Sequence, residues 1–392
     1  MYSFFGIHTF TLFTTVVEHV ALSIIDDAKR YRNETDKIKI ISSKKYPHSW
    51  DIKYHGGKKG IIWRIRYSHE WHGFPIFCIE AIINPRVLSS GIPDYFTVAN
   101  QKDIRPALSK FDIEARKISD KLGTLSSYKL NRVDYCINFS MKELGVNCTI
   151  EYMMALIKRG NVPHHFKERM EYDKISHRWV SDKTSFYLIG KSVVVNCYLK
   201  GEQMKNIKQR YLNISDIPDD IIRFEIQCKY NKIFNIKKGR SLSNADVVDI
   251  LLSDELSREV IKNYYERIIM GGDYYSLVEA IKKIESHHFS EKKEKRLIEV
   301  LKEIAVCRGI AKTKAKLNND GVIIFSRTIR ELVDLGINPV TIPREWGIKR
   351  IPNLLDATND IFQSGYTSEQ ASHRNHNIIK DYDMEKAVLF VG

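Results

Sequence analysis

Apolar and polar side chains alternate with period two along three stretches of the chain, residues 130–139, 193–200 and 220–230. This alternation predicts three β-strands, each with one apolar and one polar face. The polar faces carry Arg132, Asp134, Cys136 and Asn138; Val194, Asn196, Tyr198 and Lys200; and Arg223, Glu225, Gln227 and Lys229. If the strands lie in one antiparallel sheet, their charged groups gather on one face of that sheet.

The remaining patterns predict an extended first part of the chain and a helical last part. They predict a strand over 6–15, a helix over 16–33, an antiparallel meander over 49–83, helices over 103–122, 148–159 and 202–212, a short strand pair within 160–183 and a hairpin turn at 190–192. We therefore predict an α+β fold with a central antiparallel sheet, helices packed on one face, and a helical C-terminal domain. The predicted divisions are an α+β domain over 1–243, a helical domain over 244–363 and a tail over 364–392.

Charge and cysteine usage narrow the function classes. The chain has 392 residues and a formal net charge of +14, which indicates a polyanionic partner such as nucleic acid, although solubility or attraction to acidic lipid would also account for it. The six cysteines are scattered, without CxxC or zinc-like spacing, which is typical of a reduced, cytoplasmic protein. The apolar start lacks a basic region and contains His8, Glu18 and His19, so we expect neither a signal peptide nor a membrane-spanning helix.

The predicted polar face holds the groups that a phosphoryl-transfer site needs. Tyr198 and Lys200 would stand side by side, which suits a tyrosine nucleophile with a cation near the phosphate. Asp134 and Glu225, with Glu80 from the meander, would supply oxygen ligands for Mg²⁺ or Mn²⁺. Two simpler interpretations stay open here: Tyr198 as a half-buried side chain, and the charges as arginine–carboxylate pairs on the wet side of a sheet.

The chain also contains short motifs in a fixed order: CIEAIINPRVLSSG (78–91), LNRVDYCINFS (130–140), VVVNCYLKGEQM (193–204), IIRFEIQCKYNKIFNI (221–236) and, more weakly, SRTIRELVDLGI (326–337). Together they resemble the replication initiators of filamentous phages, the gene II/X family, and more distantly the rolling-circle initiators of plasmids. The resemblance implies an enzyme of the bacterial host cytoplasm that nicks one origin strand, keeps the 5′ phosphate on a tyrosine and later rejoins the displaced strand. It implies origin DNA, a host helicase and a polymerase as partners.

The same resemblance suggests roles for particular residues. Tyr198 matches the catalytic tyrosine, and Asp134 and Glu225 match strand motifs, which makes them the metal-ligand candidates with Glu80 as a third. Many rolling-circle initiators bind metal through a His-hydrophobe-His motif, and no histidine pair here has that spacing on one strand, so a carboxylate site is favoured. Tyr187 is the rival nucleophile, but it lacks the Tyr-x-Lys context.

Basic side chains are candidates for contacts with the DNA backbone. They are Arg132 and Arg223 on the central strands, Lys58, Lys59, Arg64 and Arg66 in the meander, and Arg327 and Arg330 on a C-terminal helix. Two alternative functions remain at this point. One is a non-catalytic DNA-binding or copy-control protein on the same scaffold, and the other is a relaxase for conjugative transfer.

Overall fold

The computed structural model describes residues 5–35, 38–43, 48–54, 59–91, 96–173, 177–208, 218–243 and 247–363. Its strands are β1 (Phe5–Val17), β2 (Ile38–Ser42), β3 (Ser49–Tyr54), β4 (Ile61–Trp71), β5 (Phe74–Ile83), β6 (Lys129–Ser140), β7 (Lys167–Glu168), β8 (Glu171–Asp173), β9 (Arg178–Val180), β10 (Ser185–Ile189), β11 (Val193–Leu199), β12 (Ile221–Lys229), β13 (Tyr274–Tyr275) and β14 (Arg350–Ile351). The predicted meander and hairpin are therefore present as β3–β4–β5 and β10–β11.

Ten strands form one sheet in the order β2-β3-β4-β5-β1-β6-β12-β11-β10-β7. Every neighbouring pair is antiparallel. The three strands predicted from alternation lie side by side at its centre as β6, β12 and β11. Strands β8 and β9 form the short pair predicted within 160–183, and β13 and β14 form another small sheet.

The helices are α1 (Glu18–Thr35), α2 (Pro85–Ser90), α3 (Gln101–Ser109), α4 (Phe111–Arg116), α5 (Ile150–Ile157), α6 (Lys200–Lys208), α7 (Tyr230–Gly239), α8 (Val247–Leu251), α9 (Asp254–Ile268), α10 (Leu277–Glu285), α11 (Glu291–Cys307), α12 (Ile310–Lys314), α13 (Asn319–Asp334) and α14 (Leu354–Gln363). After β12 the described chain is almost entirely helical. The predicted α+β class, with an antiparallel sheet and a helical C-terminal region, is confirmed.

The apolar faces of the central strands form the core, as their alternation predicted. Helix α9 packs against β1, β6 and β12 on this side. Its Tyr265 ring lies with its centroid 5.7 Å from that of Phe139 and 5.5 Å from that of Phe224. All three rings are almost fully buried, so burial of apolar surface holds this helix on the sheet.

Two predicted element boundaries differ from those in the structure. The helix expected over 103–122 is divided at Lys110, whose backbone N–H bonds to the Ala107 carbonyl three residues back, and apolar spacing alone does not reveal such a break. Strand β11 ends at Leu199, so Lys200 begins α6 instead of ending the strand. The end of the helix expected over 202–212 and the tail over 364–392 lie outside the described residues, and the division at residue 244 stays a prediction.

No helix in the described part of the chain combines the length and the apolar character that crossing a membrane requires.

Candidate active site

Strand pairing brings the predicted polar residues of β6, β12 and β11 to one face of the sheet. Tyr198 lies directly opposite Arg223, and Gln227 lies directly opposite Asp134. Glu225 stands between Arg223 and Gln227 in the alternation. Because directly opposed residues in an antiparallel pair project to the same side, Tyr198, Arg223, Glu225 and Asp134 share a face.

A β-bulge in β1 adds a histidine that the sequence did not predict for this site. Ile7 pairs with Tyr135 and Thr9 with Asp134, so His8 is the extra residue between them. The Nδ1 of His8 nevertheless lies 2.9 Å from Glu225 Oε2, which places His8 and Thr9 on the same face. Strict period two would send adjacent residues to opposite faces, and the bulge removes that constraint.

Glu225 lies at the centre of the site and is almost completely buried. Its Oε2 accepts a hydrogen bond from His8 Nδ1, and its Oε1 accepts from Asn196 Nδ2 at 3.3 Å and from Gln227 Nε2 at 3.0 Å. Burial alone would raise the pKa of Glu225, but His8, the charge of Arg223 and the Gln227 hydrogen bond outweigh it and hold the pKa below its usual range. Glu225 is therefore an anion in the folded protein.

Asp134 has a different environment although it is equally buried. Its Oδ2 accepts from the Thr9 hydroxyl and, at 3.0 Å, from Arg132. Its Oδ1 has no hydrogen-bond partner. Burial raises the pKa of Asp134, with a further contribution from the charge of Glu225, and Arg132 only partly opposes this. An unpartnered carboxylate oxygen beside a second carboxylate is a site where a cation would be stabilised.

Tyr198 lies directly opposite Arg223, whose side chain is completely buried. Arg223 donates to Asn138 Oδ1 at 2.7 Å and to the Phe96 carbonyl at 2.9 Å. Burial raises the pKa of Tyr198 well above its ordinary value, and Glu225 adds to this while Arg223 opposes it. Tyr198 is therefore a neutral phenol beside a fixed positive charge.

Lys200 lies close to Tyr198 even though it belongs to α6. Its Nζ is 5.9 Å from the centroid of the Tyr198 ring and donates to Gln203 Oε1 at 2.7 Å. The rival nucleophile Tyr187 lies opposite Asn196 on β10 and therefore shares the face. It is more exposed than Tyr198, and burial raises its pKa as well.

The expectation of a wet polar face is wrong for this part of the sheet. Asp134, Asn196, Arg223 and Glu225 each expose at most 5% of their surface. The Phe96 carbonyl accepts from Asn138 and Arg223, so the segment after residue 95 crosses one end of the face. Many of the polar groups are satisfied by one another and by backbone, but Asp134 Oδ1 and Asn196 Oδ1 are buried without a hydrogen-bond partner, which is uncommon.

Glu80 does not join this cluster. It lies opposite Phe13 on β1, four residues along the strand from Thr9, which corresponds to a displacement of about 13 Å. Its carboxylate is bonded instead to Arg66 at 3.1 Å and to Asn131 at 3.2 Å. The register of β1 with β5 therefore separates it from Asp134 and Glu225.

The remaining predicted DNA contacts occupy other places. Arg64 makes a two-pronged ion pair with Asp51, at 2.7 and 3.3 Å, and Lys59 lies in the turn before β4. Arg327 is 76% exposed and pairs with Glu331 one turn along α13. Arg330 is also exposed on α13, at the edge of a groove of about 820 Å³. Lys58 lies outside the described residues.

Asp134 and Glu225 stay the candidate ligands for a divalent cation that would share its coordination with substrate. Within the described residues, no group of three or more His, Cys, Asp and Glu side chains is arranged to hold an ion alone. Mg²⁺ commonly takes only one or two carboxylates from the protein and completes its coordination with phosphate and water. The unpartnered Asp134 Oδ1 is suited to that role, whereas both oxygens of Glu225 already accept hydrogen bonds from His8, Asn196 and Gln227.

Replacing His8 by phenylalanine should lower the free energy of unfolding by about 1.5–3 kcal/mol, because Glu225 loses a charge-assisted hydrogen bond. Burial lowers the pKa of His8 despite the opposing effect of Glu225. As pH falls through about 6.5, the unfolded chain takes up a proton at His8 that the folded chain resists. The difference in the free energy of unfolding between the wild type and His8→Phe should therefore become smaller as pH falls. Urea unfolding in the presence of a chelator, repeated over a pH series, measures this difference.

The control for this experiment is His19→Phe on the exposed surface of α1. It should leave the free energy of unfolding nearly unchanged across the same pH series. A His8→Phe difference that is absent, or that widens as pH falls, would contradict the hydrogen bond between neutral His8 and Glu225.

Comparisons with known proteins give little further guidance. No family model matches the chain, and no curated protein matches it. Among solved structures it is similar to the rolling circle replication initiator protein from Geobacillus stearothermophilus, with 11% identity over 68% of this chain and 85% of that chain and a TM-score of 0.33. That protein belongs to the broad class that the sequence motifs resemble, but a likeness this weak carries no argument about this chain.

Proposed function

We propose that the chain is a site-specific, metal-dependent DNA nicking and joining enzyme that initiates rolling-circle replication. The observation that carries the proposal is the position of Tyr198 on the same sheet face as Arg223, Glu225 and Asp134. The motif resemblance to gene II/X initiators, which covers these strands, supports it. The net charge of +14 is consistent with DNA as the partner.

In the proposed reaction the Tyr198 oxygen attacks a phosphorus atom of the origin strand. A tyrosine–phosphate bond forms, the bond from phosphorus to the 3′ oxygen breaks, and the proton lost by the phenol is balanced by the proton that the 3′ oxygen gains. The phosphotyrosine ester conserves the energy of the broken bond, so the reverse attack by a 3′-OH rejoins the strand without ATP. The free 3′-OH serves as primer for a host polymerase, with a helicase opening the duplex.

The charged residues around Tyr198 would each stabilise a different charge during the reaction. Arg223 opposes the effect of burial on the pKa of Tyr198 and so favours the phenolate. Lys200 would stabilise charge on the phosphate. Asp134 and Glu225 would hold the cation, which when bound draws negative charge away from the reacting phosphate.

One observation favours a second candidate function. Tyr198 is only 6% exposed, and burial raises the pKa of its phenol well above the ordinary value. A buried tyrosine in this state also suits a structural role in a non-catalytic DNA-binding protein. For the nicking function, binding of DNA has to expose the hydroxyl to the phosphate.

The deciding experiment uses supercoiled plasmids that carry fragments of the protein's own replicon. With Mg²⁺ or Mn²⁺, we expect nicked circles with protein attached to the 5′ end. Asp134→Asn should slow nicking at least about 100-fold, since loss of a metal ligand removes several kcal/mol of transition-state stabilisation.

The matched control is Asp27→Asn on α1, whose carboxylate pairs with Ser119 and Lys121 outside the site. This variant should nick like the wild type. If no fragment is nicked with either metal while DNA is still bound, the non-catalytic function is the correct one.

A further inference from the structure

Two aromatic side chains lie exposed on α7, the helix that follows β12. Tyr230 and Phe234 are separated by one helical turn and are 48% and 51% exposed. Their ring centroids are 6.4 Å apart and their planes differ by 23°. The ring of Phe13 on β1 meets Tyr230 edge-on at 6.2 Å and supports it from the sheet. The pair is therefore held in place with about half of each side chain exposed.

This pair lies beyond one end of the candidate active site. Tyr230 follows directly on β12, the strand that carries Arg223 and Glu225. Phe13 lies two residues along β1 from Thr11, which is opposite Arg132 on the polar face. Six residues separate Arg223 from Lys229, or about 20 Å of strand, a distance that a few nucleotides of single strand can cover.

The surroundings of the pair are basic and polar. Helix α7 contains Lys232, Lys237 and Lys238 and no acidic residue. Asn231 and Asn235 are exposed beside the two rings. Ile233, about 80° around the helix from the middle of the two rings, is buried and anchors α7 to the core.

We propose that Tyr230 and Phe234 form a stacking platform for bases of single-stranded DNA, a few nucleotides from the phosphate at Tyr198. The position relative to Tyr198 rests on the proposed function, whereas binding of the single strand does not. Accessible aromatic faces stack on any base, and nearby lysines attract the backbone. A duplex keeps its bases stacked on one another, so the platform should distinguish single from double strands.

Fluorescence anisotropy tests the platform on the full-length protein in chelator, with a fluorescein-labelled oligothymidylate of about 12 nucleotides, a length within the range of known single-strand sites. The double variant Tyr230→Leu/Phe234→Leu keeps apolar side chains but removes the rings. Its Kd for the single strand should rise at least about tenfold, while its Kd for a duplex of equal length stays unchanged. Tyr230→Trp/Phe234→Trp keeps the rings and should bind like the wild type.

The location control is Trp71→Leu/Phe74→Leu, which removes two equally exposed rings at the tip of the β4–β5 hairpin. It should leave the Kd unchanged. Three results would overturn the platform. The α7 leucine variant could have an unchanged Kd for the single strand, the hairpin variant could lose as much single-strand affinity as the α7 variant, or the α7 variant could lose as much affinity for the duplex as for the single strand. The first of these results would leave the aromatic face of α7 as a protein-docking surface.

This measurement is separable from the test of the proposed function. If the wild type never nicks and the α7 leucine variant still loses single-strand affinity, the nicking function fails and the platform stands. If the wild type nicks and the α7 variant binds normally, the platform alone is wrong.

Discussion

Tyr198→Phe is expected to abolish nicking and covalent attachment, with a loss of at least about 1,000-fold in the cleavage rate, because removing a covalent nucleophile leaves no equivalent group to attack phosphorus. Phenylalanine keeps the ring and loses only the hydroxyl. That hydroxyl is buried on the strand position opposite Arg223, so a modest decrease in the free energy of unfolding should accompany the change. The measurement is conversion of supercoiled to nicked plasmid, together with a gel assay for protein joined to labelled DNA.

Tyr187→Phe is the matched control, since Tyr187 lies on the neighbouring strand and shares the face. We expect it to retain cleavage and covalent attachment. If Tyr187→Phe loses covalent attachment while Tyr198→Phe keeps it, the two tyrosines have exchanged roles. If both variants keep it, a tyrosine of this face is not the nucleophile.

Arg223→Met is expected to lower the free energy of unfolding by about 3–5 kcal/mol, the range for breaking a buried charge network by removing one partner. The Arg223 side chain is fully buried and donates to both Asn138 Oδ1 and the Phe96 carbonyl. Methionine fills a similar volume without charge. The decrease in the free energy of unfolding should therefore come mainly from the lost hydrogen bonds and less from a cavity. Urea unfolding followed by circular dichroism measures it.

Arg105→Met provides the comparison on the surface. Arg105 also makes a two-pronged pair, with Asp249, but its side chain is 80% exposed. Exposed pairs contribute about 0–1 kcal/mol, so this variant should unfold nearly like the wild type. If the free energy of unfolding falls by the same small amount in Arg223→Met and Arg105→Met, the network around Arg223 adds no more to stability than a surface pair.

Period-two alternation was sufficient to predict the polar faces of β6, β11 and β12. Their side chains alternate through Asp134, Tyr198 and Glu225, with Val194 as the one apolar residue on the polar face of β11, so each face could be read directly from the sequence. Their adjacency followed from the simplest antiparallel arrangement. The chemical roles of these residues remain predictions, since placement on a common face does not test reactivity.

Other features left no signal in the alternation. His8 reaches Glu225 only because a bulge places adjacent residues on one face, and a bulge depends on the partner strand. The burial of the polar face involves a backbone carbonyl, that of Phe96, which carries no side-chain pattern. The position of Glu80 depended on the register between β1 and β5, which alternation does not determine.

The strand order has a consequence for how the protein is made. β1 lies at the centre of the sheet, yet it precedes its partners along the chain: the contact of His8 with Glu225 spans 217 residues, and that of Thr9 with Asp134 spans 125. Contacts between residues so far apart are slow to form. During synthesis the ribosome has to deliver β12 before the carboxylates and Tyr198 can be assembled, so a nascent chain that stops short of residue 221 lacks the central strand of the site. The nicking chemistry proposed here would therefore be acquired late, in one step, when the inserted strand completes the sheet.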